Sequence, residues 1–318
     1  MILLGILIAL VIIGLYYLWQ FWQGRFVIYH SNNLGNLLLY YFAGLAKAWQ
    51  RGEQFVWQWF NRTGKPMHPL LAQLPSSLPL NPEMQTKLRG IPINMAYVVT
   101  EWERPTGWLY VMQAPIREIM LESLAKLGHT IQNQDSNPIV IHFRCSDIPY
   151  NRHPSYMWQK YSWYHQILDT IKFHEEVWVY DTFSGPPEPK PKVRHIILLS
   201  CSTHLSCSRN QQACSDYTAD FKAYLEELGY TVEVRCGSIN EDLATMLQAS
   251  TFIGAISSLS TMAAVARQGQ SYIPHPPRCR KDWHAWEPHI YYTPGGRLDH
   301  AQVKDYYDVP TVCHQLRS

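Results

Sequence analysis

The 318-residue sequence lacks the marks of several common function classes. No G-x-G-x-x-G run follows an apolar stretch, so the dinucleotide fingerprint is missing. No C-x-x-C occurs, and the seven cysteines match no usual zinc spacing. No D-x-D pair is present to hold a nucleotide through a metal ion. The formal charge is only +2, without the basic surplus expected of a nucleic-acid partner. After residue 22 no comparable apolar run recurs, so the rest of the chain reads as a body on one side of a membrane.

What is present begins with that apolar run. Ile2 to Trp22 carry no charge and are almost wholly aliphatic or aromatic. About 20 helical residues cross a bilayer core at 1.5 Å per residue. Tyr16, Tyr17, Trp19 and Trp22 gather toward one end, as in an interfacial aromatic belt. The run is long for a cleaved signal peptide, lacks a basic start, and meets no small-residue cleavage site. An uncleaved anchor over residues 1–24 is the expectation. Its orientation stays open. Arg25 directly after the run favours a cytosolic body, whereas the sequon Asn61-Arg62-Thr63 favours a luminal one. Cys201, Cys207 and Cys214 lie close together and fit either disulfides or buried thiols, and the odd total leaves at least one cysteine unpaired in a monomer.

The body reads as two α/β units, 25–137 and 138–318. Phe26 to Tyr29 is a strand, Ser31 to Asn36 a glycine-bearing turn, and Leu37 to Trp49 an apolar helix. Residues 61–95 are proline-bearing loop with short elements. Ile116 to Leu127 is a helix stopped by Gly128. The second unit alternates. Strands are expected at the run ending in Ile141, at Val177 to Tyr180, Ile196 to Leu199, Thr231 to Val234 and Thr251 to Gly254. Helices are expected at Tyr217 to Leu228, Asp242 to Gln248 and Ser260 to Ala266. Such alternation implies a parallel, doubly wound sheet. The stretch after Pro274 shows no readable pattern.

Chemistry gathers where strands end. Ile141-His142-Phe143-Arg144-Cys145-Ser146-Asp147 delivers a histidine, an arginine and an aspartate at the C-terminal end of a Val/Ile strand. In open α/β sheets ligands sit at those ends. Arginine suits a diphosphate because its planar fork gives two hydrogen bonds and keeps its charge. Ser257, Ser258 and Ser260 can hold a pyrophosphate at a helix N-terminus or simply cap that helix. Asp242 either reads a base or ribose or is a first-turn acid favoured by the helix dipole. Asp216 and Asp220 are helix-spaced and read as a solvated face.

Three stretches, in this order, resemble the fucosyltransferase superfamily of α1,2-, α1,6- and protein O-fucosyltransferases. Asn33-Leu34-Gly35-Asn36 through Tyr41 resembles G-L-G-N-x-x-x-x-Y, with Asn33 where glycine is usual. His142 to Asp147 resembles H-x-R-R-x-D, with Cys145 in place of the second arginine. Asp242 to Met246, with Ser257 to Ser260, resembles D-x-x-x-M…S-S-x-S. The resemblance implies an α/β fold of GT-B type, with two Rossmann-like domains facing a cleft behind one N-terminal transmembrane helix. It implies GDP-fucose as donor, a glycan or glycoprotein acceptor, inversion at the anomeric carbon, and no metal or other cofactor. It assigns Arg144 to the β-phosphate. Asp147 and His153 are the candidate bases. Asn33, Gly35, Asn36, His142, Asp242, Ser257, Ser258 and Ser260 are the candidate nucleotide contacts. A Golgi or other secretory membrane with the body in the lumen follows. Two other readings stay beside this one: a GT-B enzyme using another nucleotide sugar, and an inactive glycan- or nucleotide-binding membrane protein. One expectation needs no structure: residues 2–22 hold the full chain in membranes through high-salt and carbonate washing. Recovery in the soluble fraction would contradict the anchor.

Overall fold

The computed structural model describes residues 25–29, 34–60, 67–93, 107–129, 138–145, 158–179, 194–201, 208–274, 290–293, 298, 303 and 305–318, with 11 and 13. Of the expected anchor only Val11 and Ile13 are described, both helical and exposed. Among the described residues no helix is long and apolar enough to cross a membrane. The chain divides into two compact units, Met1–Gly128 and His129–Ser318. The junction expected at 137/138 adjoins residues 130–137, which lie outside the described residues.

In the first unit, strand β1 (Arg25–Tyr29) leads to helix α1 (Leu34–Arg51) and strand β2 (Phe55–Phe60), which pairs with β1 in parallel. The expected turn over Ser31 to Asn36 gives way to helix from Leu34. The reason is the apolar face: Leu34, Leu37, Leu38, Tyr41 and Leu45 recur at helical spacing and are all buried. Gly35 and Asn36 therefore sit in the first turn of α1, while Asn33 lies outside the described residues. Strand β2 was not anticipated. Its aromatic run packs on α1 through Tyr41, which meets Phe55 and Trp57 edge-on at about 5 Å. The expected short elements are helix α2 (Pro69–Gln73), strand β3 (Ser77–Leu78) antiparallel to β2, and helix α3 (Pro82–Leu88). Helices α4 (Gly107–Val111) and α5 (Gln113–Lys126) complete the unit.

The second unit is built on six parallel strands: β4 (Ile139–His142), β5 (His195–Leu199), β6 (Thr231–Arg235), β7 (Thr251–Ile253), β8 (Gln270–Pro274) and β9 (Ile290–Thr293). Their order across the sheet is β6-β5-β4-β7-β8-β9. Counted within the unit this is 3-2-1-4-5-6, the order of a doubly wound Rossmann-type sheet. The chain winds outward from β4 in one direction, then returns to β7 and winds in the other. The helices are α6 (Tyr161–Val179), α7 (Ser208–Glu227), α8 (Ile239–Gln248), α9 (Ser258–Ala266) and α10 (Val309–Arg317).

Side chains alternate along β4. Ile139, Ile141, Phe143 and Cys145 enter the core that Tyr161, Trp163, Tyr217 and Phe221 build on α6 and α7. His142 and Arg144, both half-buried, take the other parity. Three expectations change here. Val177 to Val179 are the last turn of α6, because the helical spacing of Tyr164, Ile167, Leu168 and Ile171 carries the chain onward. Strand β9 and helix α10 supply structure where no pattern was readable. Asp220 is no solvated acid. It accepts from Tyr161 Oη at 2.9 Å and from Arg317 Nε and Nη2 at 3.1 and 2.9 Å, tying α10 to α6 and α7.

Gly254 marks where backbone and side chains crowd beyond β7. A Cβ there would lie 2.5 Å from Ile273 Cδ1 and 3.0 Å from Ser260 Cβ. Gly254→Ala is expected to cost about 1–3 kcal/mol through overpacking. Adding Ile273→Val, which deletes the clashing methyl, should recover part of that loss in chemical denaturation. An unchanged stability in Gly254→Ala would contradict the close approach.

Candidate functional site

The end of β4 lies between β5 and β7, where the winding direction reverses. At such a switch point the connections leave in opposite directions and open a crevice at the carboxyl ends of the strands. Three of the sequence candidates meet there. His142 Nδ1 lies 2.7 Å from Ser260 Oγ. Ser260 Oγ also accepts from Ala255 N–H at 3.1 Å. Arg144 Nη1 donates to the carbonyl of Ile256 at 2.9 Å. The β4 exit is thus sewn to the β7–α9 loop by one imidazole, one hydroxyl and one guanidinium. Arg144 braces the loop as well as carrying charge.

Ser257 is the N-cap of α9, its Oγ accepting from Leu259 N–H at 3.2 Å. The capping role is therefore filled by Ser257 itself. Ser258 stands at the first position of the helix, 3 % exposed. The whole of α9 is buried, so its N-terminal dipole faces the β4 exit through protein rather than bulk water. That arrangement strengthens attraction for an anion, because screening is weak where water is excluded.

Asp242 lies in the first turn of α8, at the C-terminal edge of the same sheet. Its Oδ1 accepts from Gly237 N–H at 3.3 Å, and a Ser238/Glu241 capping box closes the helix start beside it. Asp242 thus has a structural task at the start of α8. Gly35 and Asn36 belong to the first unit. Asp147 and His153 lie outside the described residues. Among the described residues no three of His, Cys, Asp and Glu gather as a metal-holding group.

Of the cysteine cluster expected to form disulfides or buried thiols, Cys201 and Cys214 are disulfide-bonded, and Cys207 lies outside the described residues. Cys145 is disulfide-bonded to Cys214 of α7, and Cys201 to Cys236, which joins the residues following β5 and β6. Closing loops of 69 and 35 residues stabilises the fold by on the order of 4 kcal/mol each in the loop-entropy account. The departure from H-x-R-R-x-D at position 145 therefore falls on the core face of the sheet, away from His142 and Arg144.

Electrostatics sets the state of His142. Desolvation, helped by the neighbouring Arg144 cation, pushes its pKa down to about 3, so the imidazole is neutral at physiological pH. A neutral ring offers one N–H donor and one acceptor, and Ser260 takes one of the two nitrogens. The chain matches no protein-family model, no curated protein and no solved structure.

The lowered pKa has a stability consequence. Between about pH 3 and 6.5 the unfolded chain binds a proton at His142 that the folded chain does not. Its contribution is complete above 6.5 and is lost as pH falls toward 3, at up to about 1.4 kcal/mol per pH unit. His142→Asn should flatten that part of the stability–pH curve in urea titrations. A curve parallel to the parent's would contradict the neutral, desolvated imidazole.

Proposed function

We propose that the β4–β7 junction binds the diphosphate of a nucleotide sugar and that the protein is a membrane-anchored, inverting glycosyltransferase. GDP-fucose is the proposed donor and a glycan hydroxyl the proposed acceptor. The observation that carries the reading is the meeting of Arg144, His142 and the serine-capped start of α9 at the switch point of the sheet. The three-part sequence resemblance supplies the sugar and the base. A GT-B arrangement of the two units is part of the same proposal.

The chemistry follows from the groups present. As the sugar leaves, negative charge grows on the β-phosphate. A preorganised guanidinium beside a helix N-terminus offsets that charge without reorganising. His142, held neutral, donates or accepts without adding a second cation. A base is needed on the acceptor side, and Asp147 and His153 are the proposed candidates. Asp242, at the edge of the same sheet, is proposed to assist in reading the base. The two disulfides support a body folded in an oxidising compartment, which favours the secretory-pathway lumen over the cytosol.

Two measurements test this. GDP at about 100 times its Kd should add about 2.7 kcal/mol of stability and raise the melting temperature. UDP and CMP should do so less, and equal shifts from all three would count against guanine recognition. In turnover, Arg144→Ala should lower GDP release from GDP-fucose by roughly 10²- to 10³-fold. Arg144→Lys should also be severely impaired, since it keeps the charge but loses the fork. Because Arg144 also holds Ile256, the alanine variant should lose about 1–2 kcal/mol of stability. Turnover within a few-fold of the parent would remove Arg144 from the chemistry.

A further inference from the structure

The charged side chain at this site is followed directly in the chain by a cysteine bonded on the opposite side of the sheet. Cys145 directly follows Arg144 and is 1 % exposed, and its partner Cys214 is fully buried in α7. Alternation along the chain sends the sulfur toward α7 and the guanidinium toward the β7–α9 loop. The bond thus pins the backbone from which Arg144 departs without entering the site. One further tie meets the same residue: Trp158 Nε1 donates to the carbonyl of Arg144 at 3.1 Å, with its ring stacked on Phe143. The polypeptide leaves the sheet at this point, since β4 ends at His142 and Phe143 N–H makes a further ladder bond to Leu199. Beyond Phe143, cross-links replace the ladder as the constraint on the chain.

We propose that the Cys145–Cys214 disulfide is a positioning bond that holds Arg144 in the anion site, making anion binding conditional on oxidative folding. The inference rests on the reading of the β4–β7 junction as an anion site. The bond forms as each thiol gives up a proton. The two electrons pass to a disulfide-bearing oxidoreductase, which leaves as the dithiol. Both sulfurs are buried, so a dithiol reductant reaches them only when the fold opens. Cys236 of the second disulfide is exposed. The first bond is therefore set during folding, whereas the second is open to later exchange.

The second disulfide provides the matched control, because it closes a loop of comparable entropy and joins the residues that follow β5 and β6 rather than β4. The test compares the parent with Cys145→Ser/Cys214→Ser, with an apolar Cys145→Val/Cys214→Ala pair, and with Cys201→Ser/Cys236→Ser. For each folded protein the melting temperature and the affinity for GDP and inorganic pyrophosphate are measured. Hydrogen exchange over 143–145 and 255–257 is followed without ligand. All three variants should melt lower. Loss of the Cys145–Cys214 bond should weaken GDP and pyrophosphate roughly tenfold or more, as expected if Arg144 is in place for about a tenth of the time. It should also speed exchange at both segments. Loss of Cys201–Cys236 should leave affinity within about twofold and exchange there unchanged. Equal affinity losses in both disulfide variants, or unchanged affinity and exchange in the first two, would overturn the proposal. Failure of both Cys145–Cys214 variants to fold would also overturn it, by making the bond a folding requirement alone. If the parent binds neither probe, the nucleotide reading fails, and the exchange rates alone decide whether the bond positions Arg144.

Discussion

Pairing of β4 on both of its edges is the constraint from which the rest of the second unit follows. A strand held by β5 on one side and β7 on the other is fixed in register. A slip of one residue would exchange the faces of every side chain on it. Ile139, Ile141, Phe143 and Cys145 would leave the core built with α6 and α7 for the face that carries the buried Val140, and His142 and Arg144 would enter that core. Burial of the odd-numbered residues therefore decides where the even-numbered ones go. Hydrophobic packing on one face does the positioning for polar chemistry on the other. The same strand lies at the reversal of winding, so its exit is the one place in the sheet where both neighbouring connections turn away.

The polar face is satisfied piece by piece. His142 meets Ser260, Ser260 receives the Ala255 N–H, and Arg144 reaches Ile256. Each bond is worth about 1 kcal/mol on balance. Their collective effect is to fix the β7–α9 loop relative to β4, so that a cation and the start of a buried helix stand together. Gly254 belongs to the same arrangement, because any side chain there would press on Ser260. A site of this kind is preorganised rather than assembled by its ligand, which is the condition for electrostatic stabilisation of a leaving diphosphate.

Much of this was legible in the sequence for definite reasons. Strands β4 to β7 are short apolar runs separated by turn residues, and the helices between them carry apolar faces and caps that leave plain marks, whereas strand β8, with a single Ile among Gln, Ser, Tyr and Pro, was not expected. Gly229, with φ of +88°, ends the segment after α7 as a helix-stopping glycine should. His142, Arg144 and Ser260 could be grouped because strand ends converge in parallel sheets. Other parts were not legible. Strand β2 is an aromatic run whose helix or strand character is settled only by its pairing with β1. Val177 to Val179 has the local composition of a strand and is helix because α6 extends through it. Helix α10 did carry a signal, an Asp308 N-cap with Pro310 in the first turn and Val312, Cys313 and Leu316 on one face, hidden by its irregular surroundings. Cysteine partners cannot be read from spacing, and only three-dimensional proximity pairs Cys145 with Cys214.

The central claim is that a nucleotide diphosphate sits at the exit of β4. Hydrogen exchange of the intact protein with and without GDP locates the ligand most directly, independent of turnover or acceptor. Bound GDP should slow exchange in 142–145 and 254–260 and leave helix α10, which packs with α6 and α7, unaffected. Protection that falls elsewhere, or none at a GDP concentration that raises the melting temperature, would contradict the account.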